Sequence, residues 1–267
     1  MAGRENSPEP VPTPNQARIY DYLLGGHSNL PVDREVADAL LALSPVTRAT
    51  AVENRRFLGR AVRFLAAQGI CQFLDVGAGL PTQENVHQIA QQTVPDARVL
   101  YVDNDPAVIA QGQALLTNES HVAMAQGDLR QPAGILALPE AHGLLDFRQP
   151  VALLLIGVLY FVSDDEDPYG MVTRLRDALA PGSYLAISHA TSDTMPPEQQ
   201  VEGTRIYNRA SSGMTLRTRV QIERFLDGFD PVDPGLVLVS RWRPDGRLPS
   251  SAETPAMFGA IGQLLGG

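Results

Sequence analysis

From residue 72 onward the chain alternates strand-like and helix-like segments, and this alternation restricts the possible folds more than any other feature. Short apolar runs predict strands at residues 72–76, 98–102, 122–125, 151–156 and 184–188. Glycine turns and apolar residues at helical spacing separate several of these runs. Strands connected by helices pair in parallel, and a parallel sheet is covered on both faces. We therefore predict an α/β fold with a mostly parallel sheet and helices on both faces.

The sequence before residue 70 differs in character from the rest. Residues 1–15 contain four prolines and few apolar residues, which predicts a flexible tail. Residues 16–69 show helical spacing and predict a helical N-terminal cap on a Rossmann-like core that spans residues 70–267. We expect one domain from residue 16 to the end. Residues 196–215 have the composition of an insertion and are a candidate lid.

Composition narrows the range of partners. The net charge of −9 and the pI of about 5.0 disfavour a nucleic-acid partner, since phosphate binding needs clustered Lys and Arg. We expect no membrane partner, because no apolar run reaches about 18 residues. The single cysteine and the lack of a signal-peptide core favour a cytoplasmic location. The histidines show no metal-ligand spacing, so we expect no metal, and the oligomeric state is left open.

A glycine-rich turn follows the first predicted strand and reads Asp75-Val-Gly77-Ala78-Gly79. The two glycines let the backbone turn tightly and approach a ligand. A helix predicted over residues 82–92 would direct free N–H groups to the same place. Taken alone, the pattern also fits a strand-to-helix turn that binds nothing.

Two further acids strengthen the prediction of a ligand site. Asp103 ends the second predicted strand, 24 residues after Gly79, where a carboxylate can accept hydrogen bonds from ribose hydroxyls. Asp128 follows the third strand and could accept a bond from an adenine amino group. With Asp75, these acids meet at the carboxyl edge of the sheet, where α/β proteins bind ligands. Independent solvation of three surface acids is the alternative interpretation.

The same residues discriminate between cofactors. A dinucleotide fingerprint has a third glycine, and Thr82 stands at that position after Pro81. The carboxylate of Asp75 would oppose a pyrophosphate but suits the sulfonium and ammonium of S-adenosylmethionine. We therefore predict an S-adenosylmethionine-dependent methyltransferase. A non-catalytic, regulatory protein that binds this cofactor or a nucleoside, and an NAD(P)-dependent oxidoreductase, are the alternatives.

Candidate residues outside the turn fall into two groups. In the cap, Tyr20, Tyr22, Asn29 and Arg55 are expected to close the cofactor site, with Arg55 against the carboxylate of the cofactor. The alternative is that the tyrosines only pack the cap and that Arg55 is solvated.

In the core, His189 follows the fifth strand and is a candidate general base for a hydroxyl acceptor. Tyr160 is a candidate for orienting the acceptor. A loop histidine without a catalytic role and an aromatic residue of the core are the respective alternatives.

Several segments carry a family resemblance. These are ARIYDYLLGGHSN, QFLDVGAGLPTQENVH, VLYVDNDP, GDLR, PVALLLIGVLYFVSDDEDP and RWRP. Together they resemble an actinobacterial family of S-adenosylmethionine-dependent methyltransferases that was long described only as a domain of unknown function. The resemblance implies a class I methyltransferase fold with a seven-stranded sheet, a terminal antiparallel hairpin and an N-terminal cap. It implies S-adenosylmethionine as cofactor and S-adenosylhomocysteine as product.

The resemblance also implies roles for the residues that match its motifs. Those of the cofactor site are Asp75, Gly77 and Gly79 in the first motif, Asp103 and Asn104 at the ribose, Asp128 and Leu129 at the adenine, and Ile156 and Gly157 where methionine and acceptor meet. The Asn/Asp-Pro-Pro-Tyr motif of amino and base methyltransferases is absent, because the chain reads IGVLYF there. This disfavours a nucleobase or amide nitrogen as acceptor, and we expect a small molecule.

Overall fold

The computed structural model describes residues 13–81, 84–194, 196–208, 213–246 and 255–266. Its helices are α1 (Gln16–Leu23), α2 (Pro31–Leu43), α3 (Val46–Ala67), α4 (Val86–Gln91), α5 (Pro106–Leu115), α6 (Pro132–Leu136), α7 (Pro139–Leu144), α8 (Pro168–Arg176), α9 (Pro197–Tyr207) and α10 (Arg219–Glu223). Its strands are β1 (Gln72–Val76), β2 (Arg98–Asp103), β3 (Val122–Gln126), β4 (Ala152–Ile156), β5 (Tyr184–Ala190), β6 (Asp230–Pro231), β7 (Val237–Leu238) and β8 (Met257–Gln263). Most of the predicted tail, residues 1–12, and part of the predicted lid, residues 209–212, lie outside the described residues.

The strands form one mixed sheet in the order β3-β2-β1-β4-β5-β8-β6, and β7 also pairs with β8. Strands β1 to β5 pair in parallel, whereas β8 runs antiparallel to β5. Chain order reverses between β1 and β4, and the carboxyl edge at such a reversal is where α/β sheets form ligand crevices. The predicted α/β fold with a mostly parallel sheet is confirmed.

The far edge of the sheet differs from the predicted seven strands. Strands β6 and β7 have two residues each, and both pair with β8, so together they take the place of one interrupted strand. Pro231 and Pro234 lie at this interruption and lack the N–H groups that a continuous strand would donate.

The two faces of the sheet bury separate apolar cores, as expected for helices on both sides. On one face Phe73 and Leu154 belong to the core that includes Phe57 of α3. On the other face Leu74 and Leu153 pack in a second core, with residues of α8 and α10. Adjacent residues of each strand thus point to opposite cores, and this is why these strands read as continuous apolar runs.

Helix α1 packs over the carboxyl edge of the sheet, and α2 packs against α1 and α9. A third apolar cluster joins Ile19 of α1, Val36 and Leu40 of α2, and Ile206 of α9. The helical part of the predicted lid segment therefore packs against the cap. Among the described residues, the helices are either too short or too polar to cross a membrane.

Asp33 joins the parts of the cap through buried hydrogen bonds. Its fully buried carboxylate accepts from the backbone N–H groups of Asn15 and Leu30, both at 2.8 Å, and from Nε of Arg18 at 2.7 Å. Asn15, which the sequence assigned to the tail, is instead buried; it caps α1 and donates to Asp105 ahead of α5. These contacts fix α1 to both α2 and the core.

Replacement of this carboxylate tests its structural role. Asp33→Ala is expected to lower the free energy of unfolding by about 3–5 kcal/mol, because the partly buried guanidinium of Arg18 and two N–H groups lose their acceptor. Urea unfolding followed by circular dichroism measures the change. Glu35→Ala, at an exposed position of the same helix, is the control and should stay within about 0.5 kcal/mol of the wild type. Equal losses in the two variants would contradict this role.

Candidate functional site

A cavity of about 360 Å³ opens at the carboxyl ends of β1, β2, β3 and β4 and lies beneath α1. This volume is in the range of small-molecule sites. Most of the residues predicted for the site line it: Tyr20, Arg55, Asp75, Gly77, Ala78, Gly79, Asp103, Asn104, Asp128, Leu129, Ile156, Gly157 and Tyr160. The fold thus brings together residues from four strand ends and from the cap.

The turn after β1 depends on its two glycines. Gly77 and Gly79 have φ values of 74° and 65°, in the region that favours glycine. The N–H of Gly77 donates to the carbonyl of Val102 at 2.8 Å. A Cβ at Gly77 would lie 2.3 Å from Cγ2 of Val158, so no larger residue fits this packing. The turn therefore runs close to both neighbouring strands.

The helix that follows this turn begins later than predicted. We predicted a helix over residues 82–92, but α4 begins at Val86, after Asn85 in extended backbone and Glu84 at a φ of 44°. Residues 82 and 83 lie outside the described residues. The N–H groups close to the strand end therefore belong to the turn itself.

Asp103 is held in place by the turn. Its Oδ2 accepts from the N–H of Gly79 at 2.9 Å, and its Oδ1 accepts from the N–H of Asp105 at 3.0 Å. Burial raises the pKa of Asp103, and these two backbone bonds oppose the rise. The carboxylate is thus fixed at the cavity wall, and each oxygen can accept a further hydrogen bond.

Asp75 is the most deeply buried carboxyl group that lines the cavity, with 5% of its surface exposed. Burial raises its pKa to about 7; nearby Arg55 opposes this effect and Asp103 adds to it. A cationic ligand group beside Asp75 would favour its ionised form. The site therefore combines a buried acid with a guanidinium group.

Arg130 also belongs to the site, although nothing in the sequence predicted it. It lines the cavity, and its Nη1 contacts Oδ1 of Asp128 at 3.3 Å. Its Nε contacts Glu166 at 2.5 Å, and its Nη2 donates to the carbonyl of Phe161 at 2.8 Å. The bond from Arg130 lowers the pKa of Glu166 to about 2. Arg130 thus ties the end of β3 to the loop after β4.

Asn54 was also missed, although it too lines the cavity. Its Nδ2 donates to the hydroxyl of Tyr20 at 3.1 Å, and its Oδ1 accepts from Oγ of Ser188 at 2.6 Å. The Tyr20 hydroxyl donates in turn to the carbonyl of Ala51 at 3.0 Å. A signal was present in the sequence, because Asn54 falls four residues before Leu58 on the apolar stripe of α3.

Three tyrosines line one side of the cavity. They are Tyr20 of α1, Tyr160 after β4, and Tyr207 at the end of α9, which the sequence did not identify. Burial raises the pKa of all three, that of Tyr207 to about 12. The three hydroxyls therefore stay protonated well above neutral pH, which fits an orienting role for Tyr160 as a hydrogen-bond donor.

His189 does not reach the cavity, and its predicted role as general base needs correction. The ring is fully buried and lies edge-on behind Tyr160. Its Nδ1 lies 2.7 Å from the carbonyl of Ala190, and its Nε2 lies 2.8 Å from Nη1 of Arg217, so both nitrogens are engaged. Burial lowers the pKa of His189 to about 3. The imidazole is neutral and structural.

Tyr22 and Asn29 also lie away from the cavity, for local reasons. The hydroxyl of Tyr22 donates to Asp38 at 3.1 Å on the surface of the cap. The amide of Asn29 donates to Oδ2 of Asp21 at 2.8 Å and to the carbonyl of Gly26 at 2.9 Å. Asn29 thus closes the glycine turn after α1.

Arg217 fixes the turn that carries Tyr160. Its buried guanidinium donates to the carbonyls of Leu159 at 3.1 Å and Val162 at 2.9 Å, and it pairs with Asp164 at 2.7 Å. The first of these carbonyls opens the 3₁₀ turn Leu159–Phe161 and the second follows it, so they lie on either side of Tyr160 in the chain. Nothing in the local sequence around residue 217 indicated this contact.

The described residues contain no cluster of three His, Cys, Asp or Glu side chains that could hold a metal ion.

Comparisons with known proteins agree with this geometry. A family model described as S-adenosyl methyltransferase matches residues 7–264. A candidate methyltransferase from Thermobifida fusca YX is 42% identical, with 95% of this chain and 96% of that chain covered and a TM-score of 0.89. A DUF574 family protein from Streptomyces avermitilis MA-4680 is 41% identical, with 94% and 97% covered and a TM-score of 0.89.

A more distant similarity concerns the fold alone. Human N-acetylserotonin methyltransferase, solved in complex with SAM, is 14% identical over 95% of this chain and 63% of that chain, with a TM-score of 0.51. No curated protein matches the chain. The two similar bacterial structures come from actinobacteria, as the resemblance in the sequence implied.

The glycine turn yields a stability test. Gly77→Ala is expected to lower the free energy of unfolding by about 2–4 kcal/mol, because alanine is strained at positive φ and its Cβ would collide with Val158. The control is Gly143→Ala in α7, where a Cβ would meet nothing within 4 Å. This helical substitution should be neutral or stabilise by up to about 1 kcal/mol. Urea unfolding measures both, and a neutral Gly77→Ala would refute the account of the turn.

Proposed function

Because the chain belongs to the S-adenosyl methyltransferase family, we propose that it binds S-adenosylmethionine in the cavity beneath α1 and transfers the methyl group to a small-molecule acceptor. One observation carries the proposal. The buried carboxyl group of Asp75 shares this cavity with Asp103, Asp128 and the guanidinium of Arg55. This set of charges is complementary to a ligand with one cationic and one anionic end and a ribose.

The groups present in the cavity fit each part of the cofactor. Asp103 would accept hydrogen bonds from the ribose hydroxyls, because its carboxylate is held by backbone N–H groups of the turn and of Asp105. Asp128 and the buried Leu129 would contact the adenine. Asp75 would face the ammonium, and Arg55 the carboxylate.

When bound, S-adenosylmethionine supplies a methyl group that is already activated by its sulfonium. The chain itself has to position the groups and exclude water. Helix α1 contributes to this exclusion, since the side chain of Ala17 lies 3.8 Å from the position of a Cβ at Gly79. Tyr160, fixed by the bonds of Arg217 to the flanking carbonyls, can donate a hydrogen bond that orients the acceptor.

Two further properties support the details of the proposal. The buried acid at Asp75 favours a cationic ligand over a pyrophosphate, and therefore over NAD. The net charge of −9 favours a small acceptor over a nucleic acid.

We also propose a cytoplasmic location, because the single cysteine, Cys71, is free.

Substitution of the ribose-binding acid tests the proposal. Asp103→Ala is expected to weaken binding of S-adenosylhomocysteine by about 10- to 100-fold, because hydrogen bonds to a charged group are lost. Isothermal titration calorimetry measures the affinity. Asp96→Ala, whose side chain is 93% exposed just before β2, is the control and should bind like the wild type. Unchanged affinity of Asp103→Ala for S-adenosylhomocysteine would contradict the ribose-binding role proposed for Asp103.

The raised pKa of Asp75 predicts a pH dependence of binding. The ammonium of the ligand would pair with the ionised form of Asp75. In the free protein this group has a pKa of about 7, so it becomes protonated as the pH falls below 7. Affinity for S-adenosylhomocysteine should therefore be constant above pH 7.5 and fall by about tenfold per pH unit below pH 7. Titrations between pH 5.5 and 8 measure it. Asp75→Asn should bind weakly with a flat profile; an equally steep profile in this variant would assign the titration to another group.

The same group affects the stability of the free protein with the opposite pH trend. Its pKa in the folded state exceeds the ordinary value, so its contribution to stability is lost as pH rises from about 4 to 7. Asp75→Asn should remove this loss, and the ligand-free variant should melt at a higher temperature than the wild type at pH 8. Thermal unfolding checks it. A lower melting temperature for the variant at pH 8 would contradict the burial cost assigned to Asp75.

A further inference from the structure

A second, smaller cavity adjoins the one just described. It has a volume of about 90 Å³ and lies between α2, α3, α9 and the start of β8. Much of its lining is apolar, from Leu23, Leu40, Leu43, Val46, Ala51, Met214, Leu216 and Met257. No sequence motif pointed to it, because its walls come from segments far apart in the chain.

The two cavities share a wall. Tyr20, Leu23, Tyr160 and Tyr207 line both of them. The hydroxyl of Tyr160 approaches the first cavity, since it lies 3.4 Å from the position of a Cβ at Gly157. These four side chains therefore stand between a molecule in the second cavity and the first cavity.

The second cavity differs from the first in charge. Its described lining contains hydroxyl, amide and apolar side chains, and none of Asp, Glu, Lys, Arg or His. The first cavity, in contrast, carries Asp75, Asp103 and Arg55. An ion that entered the second cavity would lose its hydration without gaining a charged partner, whereas an alkyl group would gain from burial.

The volume limits the size of the group that can enter. A cavity of about 150 Å³ encloses benzene, so about 90 Å³ suits a smaller group, such as a branched alkyl chain of four or five carbons. Larger ring systems would need α9 to move away from α2.

We propose that this second cavity binds an uncharged, compact branched-alkyl part of the methyl acceptor, whose polar end passes between Tyr20, Tyr160 and Tyr207 toward the cofactor. The inference rests on the proposed function, since it assigns the acceptor side of the same site. It defines the substrate class as small molecules with a neutral aliphatic end.

The absence of charged groups from the second cavity is tested with two pairs of probes that share a hydroxyl end and differ in charge at the branched end. 3,3-Dimethylbutan-1-ol and isoamyl alcohol are neutral there, choline is the cation with the shape of the first, and 3-hydroxypropanoate is the anion with the shape of the second. Their affinities for protein saturated with S-adenosylhomocysteine are measured by saturation-transfer NMR. The neutral probes should bind at least about tenfold tighter than both ions. Equal binding of the ions, or no binding of the neutral probes, would overturn the inference.

A variant that fills the cavity tests its location. Gly203 of α9 lines the second cavity, and a Cβ there would lie 3.6 Å from Cδ2 of Leu43. Gly203→Leu should weaken the neutral probes at least about tenfold and leave the affinity for S-adenosylhomocysteine within about twofold. Val201→Leu, at a position of the same helix that is 72% exposed, is the matched control and should change neither affinity. Undiminished probe binding in Gly203→Leu would place the probes elsewhere and overturn the inference.

A second variant and a separate binding measurement distinguish failure of this inference from failure of the proposed function. Leu43→Phe fills the cavity from α2 and serves if Gly203→Leu does not fold. Binding of S-adenosylhomocysteine to the wild type is measured independently of the probes. If this binding fails, the proposed function fails and the inference with it; if it succeeds while the probes do not discriminate by charge, only the inference fails.

Discussion

The burial of the Asp75 carboxyl group is the constraint on which the rest of the site depends. Removing an acid from water costs free energy, and here the cost raises its pKa to about 7. Asp75 is buried because it lies near the end of β1, just before the turn that places Gly77 and Gly79 between the two neighbouring strands. Arg55 reduces the cost but does not remove it. The ammonium group of the proposed cofactor would offset the remaining cost, because a nearby cation favours the ionised form of the acid.

The cap completes the site because buried polar bonds fix it in position. Asp33 orders α1, and Asn15 then connects α1 to Asp105, whose backbone N–H donates to Asp103. On the other side, Tyr20, Asn54 and Ser188 form a chain of hydrogen bonds from the cap to β5. Each bond would be lost in a chain whose cap packed in another orientation. These contacts thus make the apolar packing of the cap specific for one geometry over the cavity.

The strands and the acids at their ends could be predicted because both are local features. An apolar run followed by Asp103 or Asp128 needs no knowledge of the rest of the chain. Arg217, Tyr207 and the burial of His189 could not be predicted, because each depends on a segment distant in sequence that packs against β5 or the loop after β4. His189 shows the difference: its position after the fifth strand suggested a catalytic edge, but the guanidinium of Arg217 occupies one ring nitrogen. A terminal antiparallel hairpin was expected, but the interruption of its edge strand was not predicted, because pairing with β8 determines where the two short pieces form.

The central claim is that the cavity selects a cationic nucleoside over a dinucleotide. The most direct measurement is a calorimetric titration of the wild-type protein at pH 8 with S-adenosylmethionine and, separately, with NAD. The account predicts saturable binding of one S-adenosylmethionine per chain and no detectable binding of NAD at the same concentrations. Binding of NAD without binding of S-adenosylmethionine would contradict it.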